Sequence, residues 1–258
     1  MPCRINRQRT WVSRLSLEAI KSEQNAFITL TYDDEHIPPG GVLVKQDVQK
    51  WLKVLRANLH PRKIRYFLVG EYGEQTQRPH YHAIIYGVSP VESGRIENTW
   101  RKGLVHVGTV EQASLSYVCG YVLKKMTNPK DKRLNGRPPE FTIMSLKPGL
   151  GSEAVQDLAD AYQTVPGQVI LKRDRTASRS VRIGPKVYPL GRYLVGKLEQ
   201  KLGITPEERK VTNRKRVIEV FAKKSQQTTT AYEKARKAKV QQQGGKVNIQ
   251  RGTWKRSI

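Results

Sequence analysis

Cysteine is nearly absent from this chain: Cys3 and Cys119 are the only two in 258 residues. That excludes a disulfide framework and a cysteine-built zinc site, and it fits a reducing compartment. No run approaches the roughly 20 apolar residues needed to span a bilayer. The opening MPCRINRQRTW is basic but lacks the apolar stretch of a secretory signal. The expectation is a cytosolic protein with no membrane partner. No GxxxxGK[ST] phosphate loop occurs, so the chain is not expected to be its own ATP-driven helicase. Acidic residues are also scarce, 22 Asp and Glu against 47 Lys and Arg, a net charge of +25.

Such an excess of positive charge points to a polyanionic partner, nucleic acid first. The excess is unevenly spread: residues 172–258 hold 24 Lys and Arg against 6 Asp and Glu. The front reads as a compact domain over 1–150. Residues 151–258 read as a basic accessory region, largely helical at 206–224 and 228–242, with a loosely ordered tail.

Periodicity outlines the front. Residues 11–21 suit a short helix. NAFITLTY at 25–32 alternates as a strand, with Phe27, Thr29 and Thr31 on one side and Ile28, Leu30 and Tyr32 on the other. Val48, Trp51, Leu52, Leu55 and Leu59 recur at helical spacing and predict a helix over 45–59. Strands follow at 64–70, 80–87 and 104–110, then a helix over 112–126. The loop between the strands at 64–70 and 80–87 is too short for a crossover helix, so they pair antiparallel. The expected fold is an α+β sandwich with a mainly antiparallel sheet.

Within the strand PHYHAIIYG, His80 and His82 project from one face. Two imidazoles a few ångströms apart can hold a divalent cation, and a carboxylate would complete a site open to phosphate oxygen. Glu71, at the end of the preceding strand, is the first choice for that carboxylate, and Glu74 the second. The alternatives are solvated surface histidines or a cupin, but the next glutamate, Glu92, lies beyond the strand.

SYVCGYVLKK places Tyr117 and Tyr121 one helical turn apart, with Lys124 and Lys125 flanking them. Leu115, Val118, Cys119, Val122 and Met126 fall on the opposite side. A tyrosine can attack a DNA phosphate and conserve its bond energy as a phosphotyrosine. A phenol is protonated near neutrality, so it needs a polarised phosphate, which a bound cation supplies. Lys124 or Lys125 would neutralise charge in the transition state. Two tyrosines suit a reaction performed twice, once to cleave and once to rejoin.

These residues together resemble the HUH endonuclease superfamily, and most closely the replication initiators of small single-stranded DNA bacteriophages, the microviruses and gokushoviruses. FITLTY at 27–32 resembles the first motif strand and RPHYHAI at 78–84 the metal motif, with Tyr81 where a bulky hydrophobic residue is usual. SYVCGYVLKK at 116–125 resembles the dual-tyrosine motif, and the third metal ligand maps to Glu71 in GEYG. The opening MPCRINRQRTW also resembles the start of gokushovirus initiators.

The resemblance covers roughly residues 25–126. It implies a rolling-circle initiator in the bacterial cytoplasm that uses Mg²⁺ or Mn²⁺ to nick single-stranded or hairpin origin DNA. The initiator would stay on the 5′ phosphate through Tyr117 or Tyr121, while a host polymerase and helicase extend the strand. The basic rear would hold phosphate backbone, and loops such as 130–137 would read sequence. Other HUH nickases, including plasmid initiators, are the near alternative. A non-catalytic DNA-condensing protein is the alternative of another class.

Overall fold

The computed structural model describes residues 2–124, 129–225 and 233–241. Its centre is a five-stranded sheet in the order β4-β1-β3-β2-β5, every neighbouring pair antiparallel. The strands are β1 (Asn25–Thr31), β2 (Arg65–Tyr72), β3 (Pro79–Tyr86), β4 (Val105–Thr109) and β5 (Phe141–Met144).

Alternation along β1 divides two cores. Ile28 and Leu30 point to one face and join Tyr81, Ala83, Ile85 and Leu68. There they meet Val48, Trp51, Leu52 and Leu55 of α2 (Lys45–Asn58), and Ile96 and Trp100 of α3 (Ser93–Trp100). The other face carries Phe67, Val69, Ile84 and Tyr86. It is covered by Val12 and Leu15 of α1 (Pro2–Lys21) and by Leu115, Val118 and Cys119 of α4 (Gln112–Lys124). Each fully buried aliphatic or aromatic side chain contributes about 1.5–3 kcal/mol, so both layers are strongly held.

Two glycines let backbones and rings approach at one end of the sheet. Gly70 lies under the rings of Tyr81 and Phe141, both 3.0 Å from where its Cβ would be. Gly103, at φ 140°, passes so close to Thr31 and Asp33 that a Cβ would overlap their backbone atoms. The adjacent Trp100 indole donates to the Thr31 carbonyl at 2.8 Å. These contacts hold the C-terminal end of β1.

The α+β sandwich is as expected, but several elements differ from the sequence pattern. α1 begins at Pro2, not Trp11. Its first turns lack apolar periodicity and are held by polar contacts instead: Gln8 donates to the Ser116 carbonyl at 3.3 Å, and Arg9 to that of Val187 at 2.6 Å. α3 interrupts the expected run of three strands, and at eight residues it is too short to show a period. β5 was also unforeseen. It follows Pro138 and Pro139 and has only four residues.

The rear is more structured than its composition suggests. α5 (Val155–Ala161), α6 (Val165–Asp174), a hairpin of β6 (Ser180–Ile183) and β7 (Lys186–Pro189), α7 (Gly191–Lys201) and α8 (Pro206–Ser225) follow in order. The proline- and glycine-rich stretch at 183–190 turns the hairpin through Gly184 and Pro185. Leu17 of α1 packs among Ala154, Val155, Leu194 and Leu198, which seats this region on the helix layer. Residues 233–241 are helical, within the expected 228–242, and the rest of the tail lies outside the described residues. No described helix is long and apolar enough to cross a membrane.

Candidate metal centre

Register assembles the site. In the β2–β3 hairpin Glu71 stands opposite His80 and Val69 opposite His82, while β1 places Thr31 and Thr29 on the other side of those histidines. Glu71 therefore lies within β2 beside both imidazoles, whereas Glu74 is exposed in the hairpin turn. Glu71 Oε1 is 2.7 Å from His80 Nε2 and 3.3 Å from His82 Nε2. One ligand atom from each residue lies within 4.8 Å of the others.

The remaining ring nitrogens are tied down. His80 Nδ1 is 3.1 Å from the Arg78 carbonyl, which can only accept, so Nδ1 carries the proton and Nε2 faces Glu71. His82 Nδ1 lies 3.0 Å from the Thr29 hydroxyl. Such outer partners fix ring orientation and tautomer in metal sites. The Phe27 ring stacks on His82, with centroids 5.7 Å apart. Neither Thr29 nor Phe27 was singled out from sequence. The alternation of FITLTY put both on one face, but only strand pairing shows which histidine they meet.

Burial opposes charge on all three groups, and their pairing decides the outcome. Burial resists ionisation of Glu71, yet the hydrogen bonds from His80 and His82 hold its carboxyl below the usual value. Burial also works against a charged His80, but Glu71 raises it above the ordinary imidazole value. For His82 burial prevails and keeps it low. The cluster thus combines an anionic carboxylate, a neutral imidazole and an imidazole whose proton a cation would replace. One oxygen and two nitrogens suit a divalent metal and leave further coordination positions open.

Tyr117 stands over this cluster. Its hydroxyl is 3.4 Å from His82 Nε2, the two ring centroids are 5.2 Å apart, and its edge meets Phe27 at 6.3 Å. Leu115, Val118 and Cys119 pack on the sheet from the same helix, as its periodicity predicts, but Tyr117 is not on the opposite face: it sits at the edge of the same core, against Phe27 and His82. Tyr121 and Lys124 fall on α4, but their side chains, and all of Lys125 and Met126, lie outside the described residues.

Tyr81, between the two histidines, belongs to the opposite core. Its hydroxyl accepts from the Val44 N–H at 2.9 Å and lies 2.9 Å from the Tyr32 hydroxyl, which donates to Asp47 at 2.8 Å. A phenol is tolerated at this buried position because its polar end is satisfied.

Residues 25–126 match the family described as replication-associated protein ORF2/G2P. The chain is 29% identical over 184 residues to replication-associated protein VP4 of Bdellovibrio phage phiMH2K, covering 60% of this chain and 56% of that protein. It is 32% identical over 172 residues to replication-associated protein ORF2 of Spiroplasma virus 4, covering 57% and 53%. Identity to replication-associated protein ORF4 of Chlamydia phage 1 is 27% over 145 residues, covering 48% and 36%. The matched part is thus about half the length of those relatives, or less. No solved structure matches the chain.

Proposed function

We propose that this chain is a HUH-type replication-associated protein related to those of single-stranded DNA bacteriophages, a reading supported by the family match over residues 25–126 and by the phage relatives, and that it nicks and rejoins single-stranded origin DNA in rolling-circle replication. The carrying observation is the Tyr117 hydroxyl, 3.4 Å from His82 in the cluster that also holds Glu71 and His80.

In this reading Glu71, His80 and His82 hold Mg²⁺ or Mn²⁺, which polarises the scissile phosphate. The Tyr117 oxygen attacks phosphorus and the P–O3′ bond breaks. The phenol loses its proton, the departing 3′-oxygen gains one, and the 5′ phosphate stays on the tyrosine. Tyr121 serves the second transfer, which releases a closed circle. Lys124 and Lys125 offset phosphate charge.

The nuclease domain is residues 1–150. The basic region 151–258 grips phosphate backbone, and its positive excess supports that role. The loop at 130–137 reads origin sequence near the metal end of the sheet. Its support is the anchoring of Leu134 in the core and the stacking of the Arg137 guanidinium 4.1 Å from the Tyr72 ring. A host polymerase and helicase complete the cycle in the bacterial cytoplasm.

The test is incubation with labelled single-stranded origin DNA and Mn²⁺ or Mg²⁺, resolving covalent adducts under denaturing conditions. Adducts abolished by chelator, by H80A/H82A and by the Y117F/Y121F double variant are the expected result. Tight DNA binding without adduct, across several origins and both metals, would instead assign a non-catalytic DNA-binding protein.

A further inference from the structure

The metal face of the sheet continues past the histidines onto an open shelf. β4 pairs with β1 through His106 opposite Thr29 and Gly108 opposite Phe27. Val105 and Val107 pack into the core on the α2 side, so alternation puts Leu104, His106 and Gly108 on the face of His80 and His82. One line across the sheet therefore runs through His82, Thr29 and His106, with adjacent strands about 4.8 Å apart. The helices that cover Phe67, Val69 and Ile84 leave this margin open: Leu104 is 78% exposed, and His106 is exposed. The His106 ring leans over Gly108, its Cε1 3.5 Å from where a Cβ would be.

The margin is fixed in place and free of acidic groups. The Thr31 N–H donates to the Leu104 carbonyl and the Asp33 N–H to that of Lys102, each at 3.0 Å. Residues 98–110 contain Arg101 and Lys102 and no Asp or Glu, which suits a polyanion. Tyr117 and its helix close one side of the metal cluster, while the face stays open across Thr29 toward His106. A single strand with a phosphate at the cluster has its neighbouring base to place on that open side. An unpaired base presents flat apolar faces, which stack on a ring and an aliphatic side chain whatever the sequence.

We propose that His106 is a nucleobase-stacking residue: the base next to the phosphate at the metal centre lies on the shelf of Leu104, His106 and Gly108. This rests on the single-strand nicking reading above. Sequence analysis passed over His106 because it stands alone in its strand, 24 residues from His82. Only pairing of β4 with β1 brings it into line.

The competing role is a solvated sheet edge, on which single exposed side chains need no partner. The experiment measures binding of two probes of equal length, an oligothymidylate and an abasic deoxyribose-phosphate oligomer, to the full chain, His106→Ala and His106→Phe. Backbone contacts are common to both probes and cancel in the ratio of their affinities. The native chain is expected to favour the oligothymidylate, and His106→Ala to reduce that preference about tenfold. His106→Phe, which keeps a ring, is expected to restore it. An unchanged preference in His106→Ala, or no preference in the native chain, overturns the proposal. So does an equal loss for both probes, which would make His106 a phosphate contact. Melting with Mn²⁺ and with chelator keeps the metal centre apart from the shelf, and His106→Ala is expected to retain the native gain. Loss of that gain assigns His106 to the metal site and overturns the stacking role. A native chain that binds neither probe overturns the single-strand reading itself, and this inference with it.

Discussion

Thr29 and His82 face each other across β1 and β3, the threonine hydroxyl 3.0 Å from His82 Nδ1. That contact leaves Nε2 aimed at Glu71 and at the Tyr117 hydroxyl. β1, paired antiparallel with β3, thereby sets the orientation of an imidazole it does not contain.

Replacing Thr29 by valine keeps the volume and removes the hydroxyl. Divalent affinity is expected to fall about tenfold, with melting nearly unchanged in the absence of metal. Calorimetric titration of Mn²⁺ reads this directly, and native affinity in the valine variant would show that the hydroxyl does not orient the ring.

Metal bound only by the folded chain should stabilise it by about 2.7 kcal/mol at a hundred times its dissociation constant. The native protein is therefore expected to melt higher with Mn²⁺ than with chelator. Glu71→Gln and H80A/H82A are expected to lose that gain, while Glu74→Gln keeps it, because Glu74 is exposed in the hairpin turn. Equal loss in Glu74→Gln would move the third ligand into the turn.

Tyr117→Phe retains the ring packed against Phe27 and His82 and removes only the hydroxyl. Adduct formation with single-stranded origin DNA should fall at least a hundredfold if Tyr117 acts first, with stability within about 0.5 kcal/mol of native. Undiminished adduct in Tyr117→Phe, lost in Tyr121→Phe, would transfer the first step to Tyr121.

The centre of the histidine motif is expected to matter for folding and not for metal. Tyr81→Phe leaves the half-buried Val44 N–H without the hydroxyl 2.9 Å away. The cost is about 1–3 kcal/mol in denaturant unfolding, with Mn²⁺ affinity per folded molecule unchanged. A drop in affinity of tenfold would tie Tyr81 to the site on the other face.

Deleting residues 226–258, which carry eight Lys and Arg against one Glu, should weaken DNA binding. The logarithmic salt slope should become shallower by about 0.7 per lost phosphate contact, with less effect on nicking of saturated short oligonucleotides. Filter binding between low and moderate salt measures it, and identical slopes would remove the tail from the interface.

Much of this molecule was legible in one dimension because the signals are local. A period of two puts His80 and His82 on one side of any strand, and a period near 3.6 gathers Leu115, Val118 and Cys119 into the stripe that seats α4. The α2 stripe and the alternation of β1 have the same origin. Tertiary structure decided what no local period encodes. Hairpin register brings Glu71, not Glu74, against the imidazoles. Pairing of β1 with β3 gives Thr29 its histidine, and pairing of β5 with β2 brings Phe141 against Gly70. The first half of α1 is helical through polar contacts to residues more than a hundred positions away. Side-chain spacing along a chain determines which groups share a face, but the partner across the sheet is set by strand order and register, which depend on the whole fold.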